Sequence, residues 1–517
     1  MAAEAASAPP LASVRDLIER QAAERPQAPY AIAADGGAAL SYGALAAACR
    51  GTVRMLASLG AGPGDHVSLV MPNGLGTLIM LLGSLYGGRC VNPVNLLAQP
   101  DQMRYVLEHA DARIVLVSPD WEERVRTIVR TIPRPIEVVV IDPHAIDPPA
   151  VLPAAVPTEG RARPDAPALL MYTSGTTGRP KGVMLTQANL AASAAAISAE
   201  HRLTADDRVL AVLPLYHINA FAVTMLAPLA GGGSLVMPPR FSASAFWGLA
   251  AAHHCTWINL VPTMISFLLE GNAPSGGSLA ALRFCRSASA ALPPEHHRAF
   301  EQRFGIGIIE TMGLTETVAP SFSNPLRPED RRVGSVGRPS GCEARVAEPD
   351  GTSRPDGETG EILVRGPQVM KGYYKDDTAT RAAFHPDGWL RSGDLGHRNA
   401  DGYFFVTGRI KELIIKGGEN IAPREIDEAL LAHPAVLDAA AVGMPDRHYG
   451  QEIMACVVLR SGVRCSEAEL RRHCIEALGP YKTPRQILFV SDLPRGPSGK
   501  VQRLKLLELP RPDPAPI

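Results

Sequence analysis

The sequence predicts an α/β protein with a large N-terminal body of doubly wound sheets, a small β-rich subdomain and a separate small α/β domain at the C-terminus. Three observations lead to this prediction. Short β-branched runs alternate with Ala/Leu-rich stretches over most of the chain, turn signals crowd residues 330–408, and a second β/α alternation begins after residue 410. Strands that alternate with helices favour parallel sheets covered on both faces.

The N-terminal elements follow from runs of uniform character. Strands are predicted where β-branched residues cluster, and helices where Ala and Leu recur. The predicted strands are His66–Val70, Ala112–Val117, Glu137–Ile141 and Ser234–Met237. The predicted helices are Tyr42–Leu59, Leu78–Tyr86, Gln102–His109 and Trp121–Thr131.

The spacing of turns separates the subdomain from the C-terminal domain. Turn tripeptides at 355–357, 386–388 and 400–402 flank the predicted strands Glu361–Val364 and Tyr403–Val406, which is typical of antiparallel hairpins. Because about 108 residues suffice for an independent core, we expect one domain at 1–409, with its β-rich part at about 330–408, and a second at 410–517. The second domain is predicted to contain strands Leu413–Ile415, Val436–Val442, Gln451–Leu459 and Gln486–Val490, and helices Arg424–Ala432 and Ser466–Leu478.

Composition excludes several classes of protein. The 517 residues are 46% hydrophobic, which excludes wholesale disorder, and 51 Lys+Arg balance 52 Asp+Glu, so no nucleic-acid surface is expected. Pro72 and Pro228 interrupt the two long uncharged stretches, which argues against a membrane span. The eight cysteines form no Cys-x-x-Cys pair and the N-terminus lacks a signal-peptide pattern, so we expect a reduced, cytoplasmic compartment.

The most informative stretch, Leu170 to Gly182, reads LMYTSGTTGRPKG. A buried strand runs into a loop of glycines and hydroxyl side chains, then Lys181, and then a predicted helix at Gln187–Ala199. Glycines let backbone N–H groups approach an anion, Ser and Thr add donors, and the lysine adds charge. Because Pro180 stands where a P-loop needs glycine, this loop predicts a phosphate site of another kind.

This loop resembles the phosphate loop of the acyl-adenylate-forming (AMP-binding) superfamily, and the acyl-CoA synthetase branch in particular. Further motifs follow in the family's order across nearly the whole chain, which chance does not explain. They are Ser41-Tyr42 with Leu45, Gly62–Val67 with Pro72-Asn73, Pro214–His217, Gly313–Glu316, Gly360–Ile362 with Arg365-Gly366, Gly372–Tyr374, Trp389–Asp394, Gly408–Glu412, Gly417–Ile421, and Pro494–Lys500 with Arg503.

The resemblance implies an AMP-forming ligase that activates a carboxylic acid with ATP and Mg²⁺ and then passes the acyl group to coenzyme A. In the family's pattern Lys500 contacts the α-phosphate and the carboxylate, while Asp394 accepts from the ribose hydroxyls with Arg409 nearby. Glu316 and Thr177 would bind Mg²⁺, which needs hard oxygen ligands. The implied phosphate residues are Thr173, Ser174, Gly175, Thr176, Thr177, Gly178 and Lys181, and the implied adenine residues are Thr311, Met312, Gly313 and Thr315.

Charge explains why such groups are needed. A carboxylic acid with a pKa of about 4 is ionised at neutral pH, so the first step requires no general base. The carboxylate must approach an α-phosphate that is also negative. The site therefore has to supply positive charge and oriented donors where negative charge accumulates.

The second half-reaction implies a mobile C-terminal domain. In the family this domain rotates about the residue corresponding to Lys411 and presents the loop at 417–419 to the incoming thiol. Gly418 would let the backbone approach a narrow thiol tunnel, since it lacks Cβ, and a plain turn glycine is the alternative. One departure concerns the adenine motif: Met312 stands where the family usually has tyrosine, so stacking on adenine would be less directional.

The acyl pocket is expected around His217, Asn219, Arg286 and Ser287. A pocket for an aliphatic chain should be apolar, because each unpaired buried polar group costs about 1–3 kcal/mol. Arg286 among polar neighbours favours a short acid with a second anionic group, such as a dicarboxylate or a sulfonated acid like sulfoacetate. A guanidinium that faces solvent or pairs structurally is the alternative, and His217 is expected to be a pocket wall or gate.

Other functions stay open at this point. A medium- or long-chain fatty acid or an aromatic acid could be the substrate, and a carrier protein could replace CoA, although the chain has no Gly-x-Asp-Ser-Leu carrier segment. A non-catalytic nucleotide-binding relative is disfavoured because Lys500 and Glu316 are present. The motifs do not distinguish an acyl-CoA synthetase from a luciferase-like oxygenase. They also leave the oligomeric state open, with a homodimer as one alternative.

Overall fold

The computed structural model describes residues 12–147, 162–173, 179–274, 279–496 and 500–510. The phosphate-loop residues Ser174, Gly175, Thr176, Thr177 and Gly178 therefore lie outside the described residues. The helices are α1 Val14–Glu24, α2 Tyr42–Ser58, α3 Leu75–Tyr86, α4 Pro100–His109, α5 Glu122–Val129, α6 Gln187–Glu200, α7 Ala227–Gly231, α8 Phe246–Ala252, α9 Pro262–Glu270, α10 Pro294–Phe304, α11 Asp377–Ala383, α12 Pro423–Leu431 and α13 Glu467–Leu478. A π-helical segment, Asn219–Leu226, leads into α7, and short 3₁₀ turns include Thr315–Thr317, Ile410–Glu412 and Arg503–Glu508.

The strands before residue 340 are β1 Pro29–Ala33, β2 Ala39–Ser41, β3 His66–Val70, β4 Cys90–Pro93, β5 Ile114–Val117, β6 Glu137–Val140, β7 Pro167–Thr173, β8 Lys181–Thr186, β9 Arg208–Leu210, β10 Ser234–Met237, β11 Trp257–Leu260, β12 Phe284–Ser287, β13 Ile308–Met312, β14 Phe322–Ser323 and β15 Arg338–Pro339. The later strands are β16 Glu343–Ala347, β17 Gly360–Arg365, β18 Gly372–Tyr373, β19 Leu390–Arg398, β20 Phe404–Arg409, β21 Ile414–Lys416, β22 Glu419–Ile421, β23 Val436–Asp446, β24 Gly450–Leu459 and β25 Gln486–Phe489.

Local chemistry fixes where several helices begin. Thr186 and Asn189 form a reciprocal capping box at the start of α6, and Ser466 and Glu469 do the same for α13. The Ser41 hydroxyl accepts the N–H of Ala44 at the start of α2. Helix α3 has no polar face and is buried along its whole length, so it belongs to the interior of the body.

Two large mixed sheets form the N-terminal body. The nine-stranded sheet runs β15-β14-β13-β12-β11-β9-β10-β1-β2, and the seven-stranded sheet runs β18-β8-β7-β4-β3-β5-β6. Their central strands are parallel, whereas pairs near the edges, such as β13–β14, β1–β2 and β7–β8, are antiparallel. The α/β prediction is confirmed, with sheets that are mixed at their edges.

The helix predicted at Gln187–Ala199 is confirmed as α6, but the strand that precedes it was not predicted. Lys181–Thr186 forms strand β8 and pairs antiparallel with β7. Val183 and Leu185 are fully buried, so the apolar alternation in this segment belongs to a half-buried strand. Strands β7 and β8 are therefore an antiparallel pair, and α6 begins only after β8.

The remaining strands form two smaller sheets. Strands β16-β17-β19-β20 are antiparallel throughout, as the turn spacing predicts for the β-rich subdomain. Strand β18 leaves this sheet and pairs with β8 of the body. The C-terminal sheet runs β22-β21-β24-β23, with β25 parallel to β24 and helices α12 and α13 packed on its core. The boundary at 409/410 stays a prediction.

Two further observations concern membrane-spanning helices and the state of the cysteines. Among the described residues, no helix is long and apolar enough to cross a membrane. All eight cysteines are free thiols, and six of them are buried.

Candidate active site

Asp394 and Arg409 form the best-defined part of the predicted nucleotide site. They face each other on β19 and β20, and Arg409 Nε lies 2.7 Å from Asp394 Oδ1. The Asp394 side chain is 4% exposed, and burial raises its pKa while Arg409 and Lys500 act to lower it. The Asp394 N–H donates to the Ser392 hydroxyl at 3.0 Å, which fixes the turn. A buried carboxylate that is held by a fixed cation can accept hydrogen bonds from ribose hydroxyls in one orientation.

Lys500 lies within electrostatic range of the same group. The pKa of its ammonium group is lowered, mainly by desolvation and further by the positive charge of Arg409. Asp394, Glu316 and Glu412 oppose the shift. The side chain is nevertheless exposed to water, so a ligand can reach it. The structure thus brings together Lys500, Asp394, Arg409 and Glu316, which are distant in sequence.

Arg503 supports this arrangement, a role that its place in a C-terminal motif did not reveal. Its guanidinium contacts Asp427 Oδ2 at 2.5 Å and Glu412 Oε2 at 3.2 Å, and it donates to the Ala441 carbonyl at 2.8 Å. Glu412 belongs to the 3₁₀ turn Ile410–Glu412, which also contains Lys411. Arg503 therefore ties the segment just after Lys500 to the segment around the predicted hinge.

The phosphate end of the site is marked by Thr173 and Lys181. The two residues stand opposite each other where β7 and β8 enter the loop. Lys181 Nζ lies 4.9 Å from the centre of the Tyr373 ring, and the Tyr373 hydroxyl donates to Glu316 Oε1 at 2.9 Å. Burial and the charge of Glu316 raise the pKa of Tyr373, so this phenol stays protonated and remains a donor. The sequence motif Gly372–Tyr374 contains this tyrosine but indicates no role for it.

The residues suit a metal ion that is held mainly by its nucleotide. Glu316 contributes one carboxylate, and the described part of the chain contains no cluster of three or more metal-binding side chains. Mg²⁺ is commonly bound by one or two carboxylates together with substrate phosphates and water. Glu316 fits this donor set, while its predicted companion Thr177 lies outside the described residues.

The predicted adenine residues lie at the end of β13. Met312 packs against the apolar cluster around Phe322. Position 313 requires glycine for a steric reason, because a Cβ there would lie 2.7 Å from Ala319 Cα, too close for any side chain. Thr315 opens the 3₁₀ turn that carries Glu316. Thr311 is buried, and its hydroxyl accepts a hydrogen bond from Arg286, so it belongs to the hydrogen-bond network around that guanidinium.

Arg286 is fully buried in the middle of the nine-stranded sheet. Its Nη1 donates to Asn259 Oδ1 at 3.0 Å and its Nη2 donates to Thr311 Oγ1 at 2.9 Å. Its Nε has no hydrogen-bond partner among the described residues. Burial lowers the pKa of Arg286 to about 9, and Glu200 partly opposes this effect. The guanidinium is therefore still a cation at neutral pH, and the expectation that it faces solvent is excluded.

A chain of two amide side chains leads from buried Arg286 to the partly exposed Ser289. Asn259 Nδ2 donates to Asn219 Oδ1 at 3.2 Å, and Asn219 Nδ2 donates to the Ser289 hydroxyl at 3.2 Å. Ser289 is partly exposed and has φ of 74°, a left-handed conformation that non-glycine residues seldom adopt. Such strain clusters at functional sites. No signal in the sequence predicts this conformation of Ser289.

The other two predicted pocket residues differ in their surroundings. His217 is half-buried, its N–H donates to the Pro214 carbonyl at 3.1 Å, and its ring packs against Tyr216. Ser287 is buried on β12, and its hydroxyl has no hydrogen-bond partner within the described ranges. Both positions suit a pocket wall.

Gly418 lies in the turn between β21 and β22. Gly417 and Gly418 have φ of 57° and 88°, which matches a two-residue hairpin turn that requires left-handed backbone. A Cβ on Gly418 would meet no atom within 4 Å, so conformation is the reason for glycine in this arrangement. A role toward the thiol stays a prediction, as does the hinge role of Lys411.

Comparison with known proteins identifies the family. Residues 18–374 match the AMP-binding enzyme family, and residues 425–500 match the AMP-binding enzyme C-terminal domain. A sulfoacetate–CoA ligase of Cupriavidus necator is 60% identical over 95% of this chain and 96% of its own. An oxalate–CoA ligase of Arabidopsis thaliana is 35% identical over 88% of this chain and 90% of its own.

A solved structure extends the match to three dimensions. The o-succinylbenzoate coenzyme A synthetase of Bacillus subtilis, in complex with ATP and magnesium ion, superposes with a TM-score of 0.84 at 30% identity, covering 95% of this chain and 99% of that one. The prediction of an ATP-dependent acid–thiol ligase is confirmed. The chain belongs to the AMP-binding enzyme family, in its acyl-CoA synthetase branch.

Proposed function

We propose that this protein joins sulfoacetate, a short acid with a sulfonate group, to coenzyme A. In the first half-reaction the carboxylate attacks the α-phosphate of ATP, which gives the acyl-adenylate and pyrophosphate. In the second, the CoA thiol attacks the acyl carbonyl and AMP leaves, so that sulfoacetyl-CoA forms. The 60% identity to a sulfoacetate–CoA ligase supports this substrate.

The observation that carries the proposal is the buried charge of Arg286. Both terminal nitrogens of its guanidinium bond to neutral side chains, and within the described residues no carboxylate forms an ion pair with it. Burying an unpaired cation is costly, so proteins pair such charges or use them. A sulfonate is an anion at every pH at which proteins are stable. Its charge would compensate Arg286 when the substrate is bound.

The contact between substrate and Arg286 is indirect in this arrangement. Because Arg286 has no exposed surface, the sulfonate would meet the polar groups at the end of the amide chain, Asn219 and Ser289. Arg286 would act on it through Asn259 and through its field, which a low-dielectric interior screens weakly. The acid's other end would then point toward the cleft that Lys500 lines.

The chain's own residues account for the first half-reaction. Lys500 would stabilise charge on the α-phosphate and carboxylate oxygens, because its ammonium group already lies near Asp394, Arg409 and Glu316. Asp394 would orient the ribose. Glu316 would be among the ligands of Mg²⁺, which when bound would supply positive charge beside the departing pyrophosphate. For the second half-reaction, rotation about Lys411 would withdraw Lys500 and bring the loop at Gly418 to the thiol.

A dicarboxylate such as oxalate is the second candidate substrate. The 35% identity to an oxalate–CoA ligase favours it, and the second carboxylate of such an acid would also compensate Arg286. Fatty acids are disfavoured, since a long alkyl chain would leave Asn219 and Ser289 facing apolar groups. We also propose a cytoplasmic location, which the eight free thiols support.

The test is a panel of acids assayed for pyrophosphate release and for thioester formation. The panel includes sulfoacetate, oxalate, malonate, acetate, a long-chain fatty acid and an aromatic acid, each with CoA, with a phosphopantetheinylated carrier protein, or with neither. We expect kcat/KM for sulfoacetate with CoA to exceed that for acetate by at least about 20-fold, the value of one charge interaction across the two amide side chains. Equal rates with acetate, or preference for the long-chain acid, would overturn the proposal, and preference for oxalate would select the second candidate.

A further inference from the structure

Strand β18 carries Tyr373 from the β-rich subdomain to the phosphate end of the site. Gly372 and Tyr373 pair with Met184 and Val183 of β8, and the N–H of the next residue, Tyr374, donates to the Gly182 carbonyl at 2.8 Å. The backbone of Tyr373 is therefore fastened to the strand that leaves the phosphate loop. Its side chain is positioned by the same hairpin that positions Lys181.

The Tyr373 side chain contacts two charged residues of opposite sign. Its hydroxyl donates to Glu316 Oε1 at 2.9 Å, and the Lys181 ammonium lies 4.9 Å from its ring centre. The Glu316 carbonyl accepts the N–H of Met370 at 2.7 Å, so the backbone on both sides of this contact is fixed. Although Lys181 and Glu316 are both in the described part of the chain, no ion pair joins them; the phenol ring and hydroxyl contact one charge each.

This arrangement matters because a direct ion pair would neutralise both groups. A lysine that is paired with a carboxylate has fewer donors for phosphate, and a carboxylate that is paired with a lysine is a poorer ligand for a divalent cation. A tyrosine can satisfy both without neutralising either, since its face attracts cations and its hydroxyl donates to anions. One oxygen of Glu316 and the ammonium donors of Lys181 then stay available.

We propose that Tyr373 is a positioning residue that separates Lys181 from Glu316 and orients each toward the metal–nucleotide complex. The role goes beyond the substrate assignment, since it concerns adenylate formation with any acid. Its two functions reside in different atoms. The hydroxyl donates to Glu316 and thereby orients this ligand toward the metal. The ring contacts the Lys181 ammonium and thereby orients it toward the phosphates.

The experiment uses three variants of the full chain. Tyr373→Phe keeps the ring and removes the hydroxyl, and Tyr373→Leu removes both. Tyr374→Phe is the matched control, because that hydroxyl donates to Asp111 at 2.7 Å, away from the site. Calorimetry measures ATP binding in EDTA and in Mg²⁺, and pyrophosphate exchange is followed over a Mg²⁺ titration. Thioester formation from supplied acyl-adenylate tests the second half-reaction.

We expect Tyr373→Phe to raise the Mg²⁺ concentration for half-maximal exchange by about 10-fold, the loss of one hydrogen bond to a charged group, with ATP binding in EDTA unchanged. Tyr373→Leu should in addition weaken ATP binding in EDTA by about 5-fold, from the lost cation–π contact. Both variants should still form thioester from acyl-adenylate. The proposal is overturned if Tyr373→Phe leaves the Mg²⁺ dependence unchanged, if Tyr374→Phe shifts it equally, or if both half-reactions fall together.

Discussion

Replacing Arg286 tests the substrate assignment most directly. In Arg286→Met an unbranched apolar side chain of similar length occupies the strand position and the buried charge is lost. Asn259 Oδ1 then loses its donor, whereas the Thr311 hydroxyl can still donate to the Ser287 carbonyl at 3.3 Å. Because the removed cation has only neutral hydrogen-bond partners and no direct ion pair among the described residues, we expect the change in folding free energy to stay within about 3 kcal/mol.

The size of the effect on catalysis follows from Coulomb's law. The sulfonate at the end of the amide chain would lie two side chains, Asn259 and Asn219, away from the guanidinium, at about 10 Å. With an effective dielectric constant of about 20, two unit charges at that distance interact by about 1.7 kcal/mol. This corresponds to about a 20-fold fall in kcat/KM for sulfoacetate. Acetate has no second anion, so its kcat/KM should change by less than about 5-fold.

The assay is pyrophosphate release with sulfoacetate and with acetate, reported as the ratio of the two kcat/KM values. Arg298→Met is the matched control, since Arg298 lies on exposed α10 with 66% of its side chain accessible and only a 3.7 Å contact to Glu295. Melting temperatures show whether each variant is folded. An unchanged ratio in a folded Arg286→Met protein would refute the role of Arg286, and an equal fall for both acids would make it structural.

Two further predictions concern other residues. Lys500→Ala should reduce ATP–pyrophosphate exchange by at least about 1000-fold and spare thioester formation from supplied acyl-adenylate, because only the first step builds charge beside Lys500; full exchange activity would contradict the assignment. Glu310, buried on β13, has its pKa raised by desolvation from 4.5 to about 7, so the folded state binds the extra proton and stability falls as pH rises from 4.5 to 7. Glu310→Gln removes that penalty and should stabilise the protein by up to about 3 kcal/mol at pH 8, with little effect near pH 4.5, as thermal unfolding at both pH values would show; an equal gain at both would exclude titration as the cause.

Much of the fold was predictable because its signals are local. The helix at Tyr42 and the strand at His66 begin where the sequence predicts, since an N-cap serine and a β-branched run set them. Strand β8 was missed because a short apolar alternation after a glycine loop reads equally as the approach to a helix. Its identity depends on pairing with β7, a contact between two separate segments.

The residues of the candidate site also fall into those that the sequence predicts and those that depend on distant contacts. The order of the motifs predicted Lys500, Asp394 and Arg409 as site residues, and the structure places them within electrostatic range of one another. The contact of Tyr373 with Glu316 spans 57 residues, and that of Asn219 with Ser289 spans 70. Such partners depend on which strands become neighbours in the fold. The left-handed backbone of Ser289 is likewise set by the loop around it, since serine has no intrinsic preference for it.

The position of Lys500 has a consequence for the timing of charge. Asp394 and Arg409 form a pair of opposite charges in the predicted N-terminal domain, so their summed charge would not change if the C-terminal domain rotated as proposed. Lys500 is the cation that the proposed rotation would carry away. The cleft would thus be most positive while a polyanion is being cleaved, and would lose one unit of charge once pyrophosphate has formed. Withdrawal of that charge would weaken the hold on the departing anion at the moment when a neutral thiol must enter, so a single lysine would serve first as catalyst and then, by its absence, as an aid to product release.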